Sequence, residues 1–129
     1  IRFLPYIDAG RTGFLSTLDL CAIFGNAMDN AIEAAEGLED PEQREINVKI
    51  GTSGGLLLMR FYNRFQGQRR QISDKFLTTK EDTSLHGFGL SNISAIAEKY
   101  GGTVSKDCKE NEFTLTILIP LPETEGMTE

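Results

Sequence analysis

The segment from Ser16 to Gly37 sets the terms for the whole chain. Cys21, Phe24, Ala27, Met28, Ala31, Ile32 and Ala35 fall on one broad face at about 100° per residue, the spacing of an amphipathic helix. A helix with one apolar face must lay that face on another layer. Ser16 and Asp19 form a capping-box pattern at its start, and Gly37 is a stop signal. The other layer is legible downstream. Ile46–Ile50 alternates like a half-buried strand, "TSGG" turns the chain, and Leu56–Tyr62 returns as a more buried strand. A last hairpin follows, Thr103–Asp107 and Phe113–Ile119 around a turn at "KEN". Arg2–Ile7 suits a short strand, and Pro5 assigns it to an edge. "GFGL" opens a second helix, about Ser91–Tyr100, closed by Gly101 and Gly102. The expected fold is therefore α/β (α+β): a two-layer sandwich with a mixed, mostly antiparallel sheet and the helices on one face.

At 129 residues the chain is one domain with room for one sizeable core. A formal net charge of −6 disfavours a general nucleic-acid or anionic-membrane binder. Cys21 and Cys108 lie far apart, outside any metal-ligand spacing, and read as reduced thiols. No apolar run is long enough to span a membrane. The chain starts at Ile1 and enters a strand at once, which reads as part of a longer protein. Residues 64–85 are polar and lack a period, and they include Arg64, Arg69 and Arg70. A connection of that length is usually functional or disordered. Residues 122–129 read as a frayed tail.

Two local features carry chemistry. Asn26, Asn30 and Glu33 share a narrow arc opposite the apolar face of the first helix, so they are expected to look outward. Amide carbonyls are oxygen donors, and Mg²⁺ takes one or two protein oxygens together with phosphates and water. The row therefore suits a Mg–phosphate, and it equally suits a plain solvated face. The stretch "HGFGLSNI", His86 to Ile93, sets Gly87 and Gly89 before a helix whose free N–H groups face an anion. A tight turn explains that spacing nearly as well.

The order of these pieces resembles the GHKL ATP-binding fold shared by gyrase, the heat-shock chaperone, mismatch-repair ATPases and sensor histidine kinases. "GNAMDNAIEAA" resembles the kinase N box, with Asn26 and Asn30 at its asparagine positions. "HGFGLSNI" resembles the second glycine box, and "FLTTK" (Phe76–Lys80) the F-box segment of an ATP lid. The wording "NAIEAA" is most similar to receptor kinases that sense peptide pheromones. The resemblance implies residues 1–121 as the catalytic domain, with 64–85 as the lid. It implies ATP and Mg²⁺ as cofactors, Asn30 as the metal ligand, and Asn26 beside the γ-phosphate. Glu33, Lys80, His86, Gly87, Phe88, Gly89 and Leu90 join the nucleotide site on the same basis. The hydrolysing relatives carry Glu at the Asn26 position. An amide cannot act as general base, so Asn26 points to phosphoryl transfer rather than hydrolysis.

The implied partners are a histidine-bearing dimerisation domain of the same protein and a downstream response regulator, with no nucleic acid. The parent would be a membrane-anchored homodimer, and this domain would be cytoplasmic. The sequence departs from the pattern in one important place. Where typical kinases hold adenine with an Asp, this chain has Tyr62 or Asn63, and Asn63 is the favoured choice. Two other readings stay open: an anti-sigma-factor-type serine kinase and a non-catalytic nucleotide-binding module.

Overall fold

The computed structural model describes residues 1–66 and 85–122, with residues 85–88 described by their backbone alone. Strand β1 (Arg2–Ile7) leads to helix α1 (Thr17–Glu36) and a single 3₁₀ turn, Pro41–Gln43. Strands β2 (Glu45–Ser53) and β3 (Leu56–Arg64) follow, then helix α2 (Leu85–Lys99) and strands β4 (Thr103–Lys109) and β5 (Glu112–Pro120). The strand order is β1-β2-β3-β5-β4, so β3 is central. Only the β1–β2 pairing is parallel; the other three are antiparallel. This is the expected mixed, mostly antiparallel sheet.

Alternation decides which face of the sheet is covered. Ile46, Val48 and Ile50 on β2, Leu57, Met59, Phe61 and Asn63 on β3, and Phe113, Leu115, Ile117 and Ile119 on β5 are all buried. Their registers align them into cross-sheet rows such as Ile46–Asn63–Phe113 and Val48–Phe61–Leu115. Both helices lie on this face. From α1, Ile23, Ala27, Ala31 and Ala35 are buried, and Phe24 meets Phe61 edge-on at 5.6 Å between ring centres. Ile93 and Ala97 do the same for α2. The stripe of alanines lets α1 approach the sheet closely.

Pro5 does sit on an edge, and the register shows why it is tolerated. Arg2 N–H donates to Arg44 and Asp8 N–H to Ile50, so even-numbered residues of β1 bond to β2. Pro5 therefore falls on the free side, where its missing N–H costs no ladder bond and blocks a further strand. In the β2–β3 turn, Gly54 and Gly55 take φ of 58° and 82°, as a two-residue hairpin requires.

Two expectations need correction, the place of Cys21 and the start of the second helix. Cys21 is exposed, and Ile23 is fully buried in the row with Ala27, Ala31 and Ala35. Cys21 lines an apolar groove of about 440 Å³ with Ile7, Leu20, Phe24 and Ile50, on the flank of α1 away from the asparagines. Gly37 caps the end of α1 as expected, at φ −77° and with its N–H donating to the Ala34 carbonyl oxygen. Just beyond it, the Arg44 guanidinium donates at 3.0 and 2.7 Å to the Leu38 carbonyl oxygen. Helix α2 starts at Leu85 rather than Ser91, so the glycine box is its first turns and not a loop before it. Most of the segment expected as a lid, residues 64–85, lies outside the described residues; at its ends Arg64 closes β3, Phe65 is buried and Leu85 is helical. Phe76, Lys80, Arg69 and Arg70 lie outside the described residues, as does the tail beyond Pro122.

Candidate nucleotide site

The site is set by how α2 lies on α1. Near one end, Ser16 caps α1 by accepting from Asp19 N–H at 3.0 Å. In a capping box the Asp19 carboxylate would return to Ser16 N–H. Here Tyr100, just past α2, accepts that N–H at 3.1 Å and donates its own hydroxyl to Asp19 Oδ2 at 2.5 Å. Lys99 Nζ completes the cluster at 2.6 Å from the same oxygen. The bonds from Lys99 and then Tyr100 hold the Asp19 carboxyl below the usual carboxylate range. The end of α2 is closed by a Schellman pair: Gly101 N–H to Glu98 and Gly102 N–H to Ala97, with Gly101 at φ 78°.

Further along, Gly89 lies against Asn26. A Cβ at Gly89 would stand 3.3 Å from Asn26 Oδ1 and 3.5 Å from its Cβ and Cγ. Residues 16–19 meet 99–100 and residue 26 meets 89, so the helices run antiparallel. The first turn of α2 therefore continues toward Asn30. The positive end of its dipole lies on that side.

The asparagine row differs from the solvent-facing arc expected of it. Asn26 and Asn30 are half-buried, Asn26 against Gly89 of α2, and Glu33 is exposed. Asn30 Nδ2 is buried with no hydrogen-bond partner among the described residues. A buried donor left unpaired costs free energy, so an acceptor brought to this position would be stabilised there.

On the sheet side, Asn63 is 2% exposed and belongs to the helix-facing row. Its Nδ2 donates to the Arg64 carbonyl oxygen at 3.0 Å. Two contacts bracket it, one on α1 and one just past its end: Phe24 on Phe61, and Glu39 N–H donating to Gln66 Oε1 at 2.7 Å. Asn30 lies between the same two contacts on the helix. Tyr62 alternates to the opposite face, where burial raises its pKa and Arg64 and Glu112 are its hydrogen-bonding neighbours. Leu90 is buried in the core, and Gly89 is buried with it. His86, Gly87 and Phe88 belong to the first turns of α2.

The structure thus brings Asn26, Asn30, Gly89 and the start of α2 together and sets Asn63 on the sheet beneath α1. Sequence reasoning missed Asp19, Lys99 and Tyr100 as the group that fixes α2. Their only signal was the capping pattern at Ser16, because the contact spans 81 residues.

The donor set fits Mg-ATP. The two amides offer neutral hard oxygens, and Asn30 also has a buried donor to satisfy. Among the described residues no three His, Cys, Asp or Glu side chains gather. A divalent cation here would therefore draw most of its ligands from phosphate and water.

Comparison with known proteins agrees with this geometry. A family model described as a GHKL domain matches residues 15–120. A probable C4-dicarboxylate sensor kinase of Halalkalibacterium halodurans is 30% identical over 115 residues. That match covers 87% of this chain and 21% of the relative, so the chain spans about a fifth of that protein's length. The Acinetobacter baumannii histidine kinase AdeS superposes with a TM-score of 0.62 at 17% identity, over 95% of this chain and 56% of that one. The nucleotide-free catalytic domain of histidine kinase ThkA gives 0.63 at 20% identity, over 83% and 69%. The two structures share the fold, and the family match covers β2 to β5 and both helices: the chain belongs to the GHKL domain family.

Proposed function

We propose that this domain is the ATP-binding catalytic unit of a sensor histidine kinase. The observation that carries the reading is the antiparallel seat of α2 on α1. It sets Asn26 against Gly89 and directs the start of α2 toward Asn30, whose Nδ2 has no partner among the described residues. Mg-ATP would supply the phosphoryl group. Asn30 holds the cation through its carbonyl oxygen, and the first-turn N–H groups of α2 face the phosphates. Asn26 lies beside them and has no basic atom with which to activate water. Glu33, His86, Gly87, Phe88 and Lys80 complete the site in the family's arrangement. Asn63 takes the adenine position, supported by its place on the helix-facing side, whereas Tyr62 faces away.

Catalysis of this kind rests on positioning and charge stabilisation. The acceptor is a histidine on a dimerisation domain of the same protein, and a response regulator receives the phosphate afterwards. The parent is a homodimer anchored in the membrane with this domain in the cytoplasm. No described helix of this chain is itself long and apolar enough to cross a membrane.

Calorimetry tests the reading with ATP, with and without Mg²⁺, on the native chain and on Asn30→Ala. Binding should require Mg²⁺ and should be lost in the variant. Equal metal-dependent affinity in both proteins would remove Asn30 from the site.

A further inference from the structure

Alternation gives the second face of the sheet, away from both helices, to the even positions of β1, β3 and β5 and the odd positions of β2 and β4. The end row of this face alternates in sign, with Arg2 beside Glu45 and Arg64 and Lys109 beside Glu112. Those charges neutralise one another: Arg2 Nη2 lies 2.6 Å from Glu45 Oε1, and Arg64 interacts with Glu45 and Glu112. Two rows further along the pattern fails. Tyr6, Lys49, Arg60, Thr116 and Ser105 stand in register across the five strands, with Lys49 directly opposite Arg60. Like charges in that position repel. Both are exposed, and neither has an ion pair or a side-chain hydrogen bond among the described residues. The row holds no carboxylate, and the row between holds only Asp107, on the far edge strand. An ammonium, a guanidinium, a phenol and two hydroxyls thus line up, every one able to donate. This happens in a chain of net charge −6.

We propose that this stripe docks an acidic segment of a protein partner, with carboxylates seated between Lys49 and Arg60. An anion placed there turns a repulsive pair into two attractions. The stripe crosses roughly 19 Å at about 4.8 Å per strand, yet it carries only two cations. That suits a few spaced carboxylates better than a nucleic-acid backbone with a charge about every 1.7 Å. The net charge of the whole chain also repels polyanions and anionic bilayers at longer range. Apolar neighbours favour protein side chains as well: Tyr6 is 67% and Leu4 47% exposed, and Leu58 and Leu118 pair in the adjoining row. The surface lies across the sheet from Asn26 and Asn30, so the inference is independent of the nucleotide reading.

Amide chemical shifts of the labelled domain, titrated with hexaglutamate and with hexaglutamine, test it. Hexaglutamate should move the amides of Lys49, Arg60 and Thr116, leave those of α1 in place, and bind less well as salt is raised. Hexaglutamine should move none of them. The double variant Lys49→Gln/Arg60→Gln should bind hexaglutamate roughly tenfold more weakly, the effect of two surface ion pairs. It removes a repulsive pair, so its fold is not at risk. Lys109→Gln, a cation lost from the end row, should bind as the native domain does. Shifts that map elsewhere or are absent overturn the proposal, as does equal binding of hexaglutamine or unchanged affinity in the double variant. Tighter binding of a single-stranded oligonucleotide or of phosphatidylserine vesicles than of hexaglutamate would also overturn it, by giving the stripe to another class of partner.

Discussion

Replacing Gly89 by alanine should separate stability from binding. The added Cβ would stand 3.3 Å from Asn26 Oδ1 and 3.5 Å from Asn26 Cβ and Cγ, tighter than comfortable packing by a few tenths of an ångström. Two stability terms then oppose each other. Alanine is favoured over glycine in a helix by about 1 kcal/mol. Mild overpacking costs about 1 kcal/mol, the low end of its range. The melting temperature should therefore move by no more than about 4 °C in either direction. Binding has no such compensation. The Asn26 carboxamide is the group that must yield, and it is the one proposed to lie beside the phosphates. Losing one hydrogen bond to a charged group costs about 1.5–3 kcal/mol, or roughly 10- to 100-fold in affinity. Thermal melts and Mg-ATP calorimetry on Gly89→Ala measure both quantities. An unchanged melt with unchanged affinity would refute the reasoning, because Asn26 would then either tolerate the shift or not serve the ligand.

Asn30→Leu removes a buried NH₂ group that has no described partner, so the ligand-free domain should gain about 1 kcal/mol in urea denaturation while Mg²⁺-dependent ATP binding disappears; lower stability would mean that the amide is already satisfied. Gly102→Ala should cost about 3 kcal/mol or more, because its Cβ would lie 2.4 Å from the Leu118 carbonyl oxygen and 2.8 Å from Ile119 Cγ1; a loss under about 1 kcal/mol would show that β4 can shift off β5. The folded Asp19 carboxyl titrates below its usual range, so its contribution is present above about pH 4 and is lost as pH falls through the folded value. Asp19→Asn should accordingly be less stable than native at neutral pH, with the difference closing below about pH 4; a constant difference down to pH 2 would detach the effect from this carboxylate.

The local rules were written in the sequence. Periodicity marked α1, alternation marked β2 and β5, an apolar run marked β3, and Pro5 marked an edge, because each depends on residues within a turn or a strand of one another. The asparagine row was visible for the same reason, as one arc of one helix. Its burial was not, because that depends on where α2 lies, and contacts between residues 16–19 and 99–100 decide it. The start of α2 was also misplaced: glycines that read as a loop are drawn into the helix where Gly89 packs on Asn26. The choice between Tyr62 and Asn63 followed the same logic. Neighbours in sequence point to opposite faces of a strand, and only the register with β2 and β5 says which face the helices cover. The sequence by itself determined the elements and the kinds of group available. The tertiary structure decided which groups share a site, because that depends on helix packing and strand register between residues far apart in the chain.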